Sequence, residues 1–151
     1  MKKFRFEQIL KIKQQLEEIK KSELAHQNEI LKGYVEKKLE FEERLNEAKE
    51  ELKGLYMGVF FPNEVRSYSQ FMGNLKKRID IQNQLIYYQQ MKVEEKKREL
   101  IHSMIEKKKY EKLKEKHLIN LVNELKQLEN KELDGIISYK IYKSLGDDSG
   151  R

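Results

Sequence analysis

Histidines are the side chains most readily used as metal ligands or proton carriers, and the three in this sequence are far apart. His26 and His102 are separated by 76 residues, and His117 follows 15 residues later. No two of them have the His-x3-His spacing that places paired metal ligands on one helical face. We therefore interpret each as a solvated histidine or one at the edge of a helix interface.

The remaining catalytic motifs also give no sign of an enzyme. The sequence has neither a G-x-x-x-x-G-K-[ST] phosphate loop nor a G-x-S-x-G nucleophile turn. Carboxylate pairs occur at Glu42-Glu43 and Glu94-Glu95, but lysines at helical spacing accompany them, which is typical of solvated ion pairing. We expect no catalytic residues, no metal ligands and no cofactor.

A basic run is the next candidate for function. Residues 92–116 contain 10 Lys or Arg and 6 Asp or Glu, and the whole chain has a net charge of +6. Such a run on a helical arm could bind nucleic-acid phosphates. Acidic residues interleave with it and no aromatic residues are spaced to stack on bases, so a solvated face that steers toward acidic proteins is favoured. No nucleic-acid partner is expected.

The elements that carry these residues are predicted to be two long helices. Of 151 residues, 38% are charged, while Gly and Pro together number 8, so the chain has few turns. Pro62 follows a short uncharged segment with two glycines, and a helix cannot continue through it. This segment predicts the hinge of a hairpin.

The predicted fold is all-α, an antiparallel coiled-coil hairpin forming a single domain over residues 1–151. Helix 1 is predicted over about residues 4–56, the hinge over about 57–63 and helix 2 over about 64–142, with residues 143–151 as a frayed tail. At 1.5 Å per residue the helices would be about 80 Å and about 115 Å long, so one end of helix 2 should extend alone.

Apolar residues recur at alternating spacings of three and four along both predicted helices. The stripe in helix 1 before residue 20 is out of phase with the later one, which predicts a phase slip near residues 20–23. The stripe in helix 2 is interrupted by Gln89 and Lys96. The apolar positions are Ile9, Ile12, Leu16 and Ile19, then Phe41, Leu45, Ala48, Leu52 and Leu55, and in helix 2 Phe71, Leu75, Ile79, Ile86 and Val93.

Two clusters are more apolar than a solvated hairpin requires. The hinge carries Phe60 and Phe61, followed by Tyr68, and these aromatic residues could either cap the coiled coil or anchor a partner. The second cluster covers residues 136–142, and in an antiparallel hairpin we expect it to pack in part against Phe4 and Phe6. Membrane insertion is not expected, because no uncharged run approaches ~20 residues.

Three segments, taken in order, resemble one protein family. Residues 4–11 (FRFEQILK), residues 68–71 (YSQF) with Leu75, and residues 113–116 (LKEK) followed by Glu124 and residues 128–134 (LENKELD) are similar to the flagellar FliJ proteins of the bacterial type III export apparatus. The resemblance covers nearly the whole chain. It implies an antiparallel two-helix coiled coil similar to the central stalk of rotary ATPases.

The resemblance also implies the partners. Members of the family insert into the hexameric ring of the flagellar export ATPase, promote its assembly, bind the export gate protein FlhA and help recycle export chaperones. It further implies a non-enzymatic, cytoplasmic protein peripheral at the inner face of the cell membrane, and we expect a monomeric hairpin. The ATPase would contact the paired helix ends, roughly residues 4–24 and 113–139.

The gate-binding patch that the resemblance implies is a Phe, a Leu four residues on, a small residue and a His. Phe71 and Leu75 match this pattern, whereas Arg78 and Gln82 stand at the other two positions. Gly135 likewise replaces an acidic residue that is usual after Asp134. Two alternatives stay open, namely a nucleic-acid-binding basic arm and a generic scaffold in which the stripes pair between two chains.

Overall fold

Two long α-helices account for nearly all of the described structure. The computed structural model describes residues 3–59 and 61–148, with α1 over Glu7–Tyr56 and α2 over Pro62–Asp148. The helices pack against each other as an antiparallel hairpin, and the described residues contain no strand. The all-α hairpin predicted from the sequence is confirmed.

Helix α2 begins two residues earlier than predicted, at the proline itself. The carbonyl oxygen of Phe61 accepts hydrogen bonds from the backbone N–H groups of Glu64 (3.0 Å) and Val65 (3.3 Å). Pro62 therefore occupies the first helical position, where its missing N–H is not needed and its fixed φ favours the helix. The connection between the two helices is correspondingly short, residues 57–61.

The other helix ends also differ from the prediction. α1 begins at Glu7 and not near Phe4, since residues 4–6 form a turn closed by a 3.3 Å hydrogen bond from Glu7 N–H to the Phe4 carbonyl. The prediction of a frayed tail from residue 143 is wrong for residues 143–148, which continue α2. Gly146 lies inside this last part, and a single Gly weakens a helix by about 1 kcal/mol without ending it.

The chain divides into two compact units, and each contains parts of both helices. The middle unit is Leu16–Met104, which includes the turn between the helices. The end unit comprises, among the described residues, 3–15 and 105–148. The prediction of one coiled-coil domain stays a prediction.

The apolar core of the middle unit lies near the turn. Phe41 and Leu45 of α1 pack against Leu75 of α2, which is 2% exposed, with Met72 and Ile79 beside them. Burying such side chains contributes about 1.5–3 kcal/mol each relative to leaving them exposed. This cluster fixes which face of each helix is turned inward.

The inward face of α1 keeps one register through the middle unit. A stripe of buried and half-buried positions runs at alternating spacings of three and four, and the other half-buried positions, 16, 23, 30, 40 and 42, adjoin it. The stripe consists of positions 17, 20, 24, 27, 31, 34, 38, 41, 45, 48, 52 and 55. The predicted phase slip near residues 20–23 is therefore wrong. A continuous helix whose rotation is set by the core must bury Glu17 and Lys20 and leave Ile19 outside, where it is 53% exposed.

Buried glutamines occupy the next two layers of α2 beyond the core. The Gln82 side-chain amide donates a 2.9 Å hydrogen bond to the Tyr34 carbonyl oxygen. The Gln89 amide donates to the carbonyl and the side-chain oxygen of Gln27, at 2.9 and 2.7 Å. A polar group in a coiled-coil seam lowers stability but specifies the register, because any shift would leave it buried without a partner.

A closed cluster of charges forms the following layer, and we call Lys20, Glu23, Lys96 and Glu99 the Lys–Glu cluster. Each lysine ammonium lies 3.2–3.3 Å from both carboxylates. These hydrogen bonds lower the pKa of both glutamates and raise the pKa of both lysines relative to their ordinary values. The layer thus joins the helices through charge and not through apolar burial.

Aromatic rings join the two segments of the end unit. The Phe6 ring lies 5.9 Å from that of Tyr110, and the Phe4 ring lies 5.7 Å from that of His117. Glu7 pairs with Lys114 at 3.1 Å. These contacts explain why the chain before Glu7 is a turn packed on α2.

Candidate partner-binding surfaces

The two residues predicted to bind the export gate lie in different environments. Leu75 is part of the core and 2% exposed, whereas Phe71, four residues earlier, is 47% exposed. The prediction that Phe71 belongs to the seam is wrong, because Met72 packs against the core in its place. Only Phe71 of this pair presents a side chain that a partner can contact while the helices stay paired.

Of the other two positions of the implied patch, one is likewise buried and one exposed. Gln82 is 7% exposed and is held by its hydrogen bond to α1. Arg78 is exposed, and its guanidinium lies 5.9 Å from the centre of the Phe41 ring. The accessible surface here therefore consists of an aromatic ring and a cation on α2.

The hinge carries exposed apolar side chains, as its composition predicts. Met57, Val59 and Phe61 are 93%, 91% and 61% exposed. Phe60, the other hinge phenylalanine predicted to bind a partner, lies outside the described residues. Phe61 contributes its backbone to the start of α2 and leaves its ring on the surface.

Tyr68, the third predicted hinge residue, has an internal role. Its hydroxyl donates a 2.9 Å hydrogen bond to a carboxylate oxygen of Glu51, which raises the pKa of the tyrosine. The bond links the first turns of α2 to the end of α1. Tyr68 is half-buried, so only part of its ring remains for a partner.

The last part of α2 has no neighbouring helix in the end unit, and we call residues 122–146 the C-terminal segment. Every residue in it is exposed. The predicted packing of residues 136–142 against Phe4 and Phe6 is wrong, since these rings contact α2 at His117 and Tyr110. The Phe4 and Phe6 rings therefore lie beside a part of α2 that precedes residue 136 by about twenty residues.

The apolar side chains of the C-terminal segment are large and accessible. At about 100° per residue, most of these side chains fall on one half of the helix. The same half also includes Leu118, Ile119 and Leu121, which precede the segment. The exposed fractions of the segment's own residues on this half lie between 50% and 64%. The residues of the segment on this half are Val122, Leu125, Leu128, Leu133, Ile136, Ile137 and Tyr139.

One surface was not predicted from the sequence. Tyr87, Tyr88 and Met91 are 60%, 62% and 53% exposed on the outer side of α2 in the middle unit, beside a shallow depression of about 510 Å³. The two tyrosine rings meet edge to face at 5.7 Å. The seven-residue spacing from Leu75 through Gln82 to Gln89 is the signal that could have placed them outside the seam.

Among the described residues, the carboxylates and histidines do not assemble into a metal centre. Glu23 and Glu99 each precede a histidine by three residues, which is a spacing used by metal ligands. Both carboxylates are engaged by lysines in the Lys–Glu cluster, and His26 and His102 are exposed. Within the described residues no group of three or more His, Asp or Glu is placed to hold a metal.

The basic run of α2 is extensively paired with carboxylates. Intrahelical ion pairs join Lys97 to Glu94 at 3.2 Å and Lys109 to Glu106 at 2.9 Å, and further pairs are formed by Lys96, Lys107 and Lys114. The run is therefore less cationic as a surface than its lysine count indicates.

Neither described helix contains a stretch long and apolar enough to cross a membrane.

Comparison with known proteins gives a consistent result. The family model described as "Flagellar FliJ protein" matches residues 1–146. The Flagellar FliJ protein of Bacillus subtilis (strain 168) is 32% identical over 138 residues, which cover 88% of this chain and 90% of that protein. No solved structure matches the chain significantly. The family match across nearly all of the sequence and the two-helix hairpin together show that the chain belongs to the flagellar FliJ family.

Proposed function

We propose that this protein is the non-enzymatic stalk of the flagellar export ATPase, which it binds at the ring, assembles and activates. Membership of the FliJ family makes it a component of the flagellar export apparatus. The observation that carries the proposal is the C-terminal segment, a helix with a wide apolar face and no neighbour in the end unit. A ring that encloses this helix would bury the face.

The neighbouring part of the end unit is suited to the same contact. Beside the packed turn lies an open depression of about 960 Å³, lined by apolar side chains and by several cations. Its apolar residues are Phe4, Ile9, Leu118 and Leu121, and its cations are Lys3, Arg5, Lys11 and Lys114. A single stalk would present a different part of this uneven surface to each of the six equivalent subunits of the ATPase ring. It could therefore favour a different conformational state in each subunit.

The contact with the export gate protein FlhA is proposed at Phe71, with Arg78 about two helical turns farther along the exposed side of α2. Aromatic residues and arginines are enriched in binding hot spots, and both side chains are exposed here. Leu75 supports this surface from the core by fixing the rotation of α2. In this proposal the protein works in the cytoplasm, peripheral at the inner face of the membrane, and also engages export chaperones.

The ATPase contact can be tested with two double variants of equal charge change. Leu125→Glu with Leu128→Glu places carboxylates on the apolar face, whereas Asn123→Glu with Gln127→Glu places them on the opposite side of the helix. The parent chain should increase ring assembly and ATP turnover by the export ATPase. We expect the first variant to lose this effect and the second to retain it.

Two outcomes would count against the stalk function. An ATPase whose assembly and turnover ignore the parent chain would overturn the proposal. Equal stimulation by both double variants would show that the apolar face is not the contact. Salt-sensitive binding of RNA or DNA in a gel shift, with no response of the ATPase, would instead favour the nucleic-acid-binding alternative.

A further inference from the structure

The charges on the apolar half of the C-terminal segment are arranged symmetrically. Glu129 and Glu132 precede Ile136 by seven and four residues, and Lys140 and Lys143 follow it by four and seven. At about 100° per residue the four charged residues lie within about 40° of Ile136, which is near the centre of the apolar half. Within seven residues of Ile136 the face is therefore acidic before it and basic after it, at matching distances.

We propose that two copies of the chain pair antiparallel through this segment, about a two-fold axis at Ile136. In that arrangement Glu129 lies opposite Lys143 of the second copy, and Glu132 lies opposite Lys140. The two-fold axis repeats both contacts, so four ion pairs form. Leu133 and Tyr139 are also equidistant from the axis, so each meets the other across it.

Self-complementarity is what identifies a second copy as the occupant. A foreign partner could satisfy this face with any complementary pattern on its own surface. When two identical helices pair antiparallel, each residue before the axis lies opposite the residue at the same distance after it. Only such pairing requires that the glutamates before Ile136 are matched by lysines at equal distances after it. Most helical stability in proteins comes from packing of an amphipathic face, so burial of the apolar half by a second copy would stabilise the segment.

The hairpin already uses the same device within one chain. In the Lys–Glu cluster two antiparallel helices meet through a lysine and a glutamate from each, three residues apart, and every ammonium to carboxylate distance is 3.2–3.3 Å. The proposed pair also joins antiparallel helices through lysines and glutamates, although its two Glu132–Lys140 contacts are separate ion pairs about 12 Å apart along the helix. This pairing does not rest on the stalk function, and it replaces the expectation of a monomer.

The first experiment is sedimentation equilibrium of the full chain over micromolar to sub-millimolar concentrations. The parent should form a dimer. Glu129→Lys with Glu132→Lys turns all four ion pairs into repulsions, and we expect the dissociation constant to rise about thirtyfold. Lys140→Glu with Lys143→Glu should have the same effect. Since Lys and Glu have similar helix propensities, the circular dichroism of each variant should stay that of the parent.

Mixing the two charge-reversal variants is the decisive test of the ion pairs. An equimolar mixture of these two charge-reversal variants should recover dimer of parent affinity, since each then meets opposite charges. The control is Glu124→Lys with Asp134→Lys, which changes the net charge equally but lies on the opposite half of the helix, and it should dimerise like the parent. A parent that stays monomeric, or reversal variants that dimerise like the parent, would overturn the proposal.

A cross-linking experiment tests the position of the axis. The chain has no cysteine, so Ile136→Cys introduces one thiol, which lies next to its own copy across the axis. Leu125→Cys places a thiol on the same face, but it would be about 33 Å from its counterpart, from twice eleven residues at 1.5 Å each. Oxidation should yield a covalent dimer only for the first variant. Equal cross-linking of both, or of neither, would exclude this axis.

Discussion

Phe71 and Leu75 were predicted together to bind the export gate, but Phe71 is exposed and Leu75 is buried. Substituting each in turn therefore separates an effect on gate binding from an effect on folding. Leu75→Ala removes a side chain that is 2% exposed between Phe41 and Leu45. Buried Leu→Ala changes cost about 2–5 kcal/mol, the sum of lost burial and the cavity left behind. Because the cluster around Leu75 has only three buried members, we expect a value in the lower part of this range, about 3 kcal/mol.

Phe71→Ala should leave the fold almost unchanged. Its ring is 47% exposed, and substitutions outside the core usually stay within about 0.5 kcal/mol, to which partial burial adds a little. Urea denaturation followed by the helical circular dichroism signal gives both free energies of unfolding. We expect a difference of about 2 kcal/mol or more between the two variants.

Binding must then be measured where both variants are folded. Calorimetric titration with the export gate protein at low temperature should show a loss of affinity for Phe71→Ala and a smaller change for Leu75→Ala. Gln70→Ala, next to Phe71 on the exposed surface, is the matched control. If Phe71→Ala unfolds as readily as Leu75→Ala, the assignment of the two faces is refuted. Unchanged gate affinity for Phe71→Ala would refute the contact.

Three further predictions concern the layers that join the helices. In the Lys–Glu cluster the glutamate pKa values are lowered, so the stability that the glutamates contribute is complete above the ordinary glutamate pKa and is lost as the pH falls through their pKa values in the folded protein. The lysine pKa values are raised, so the stability that the lysines contribute is lost as the pH rises through their pKa values in the folded protein. Lys96→Met should therefore flatten the acid limb of thermal stability plotted against pH. Gln89→Leu should raise the melting temperature but loosen the register, seen as faster amide exchange near Gln27. Tyr68→Phe should lower the stability measured by urea denaturation only slightly, since the hydrogen bond from Tyr68 to Glu51 is exposed.

The sequence predicted the architecture well because the signals for it are local. The scarcity of Gly and Pro, together with Pro62, is enough to predict two helices and one reversal. The stripe of Phe41, Leu45 and Ala48 also predicts the inward face near the turn, where apolar residues fill the seam. In that part of the chain hydrophobicity and burial coincide.

Farther from the turn the same rule fails, since burial follows the register and not residue type. Ile19 is 53% exposed, whereas Glu17 is 4% exposed, because the helix keeps the rotation that the core imposes within the middle unit. Apolar spacing alone assigned Ile12 and Ile19 to a seam of their own. A chain-long heptad count starting from Leu45 would have found the polar layers, although not their hydrogen bonds.

This separation of apolar residues from the seam bears on function. Beyond the apolar core near the turn, Gln82, Gln89 and the Lys–Glu cluster also hold the interface, and several isoleucines and leucines of the hairpin lie outside it. In the C-terminal segment those residues have no internal partner, and their burial by another molecule would stabilise the helix that carries them. The proposed second copy and the proposed ATPase ring would cover the same face. Pairing of free copies would therefore shield the segment until the ring displaces the second copy, and the two assemblies would exclude each other.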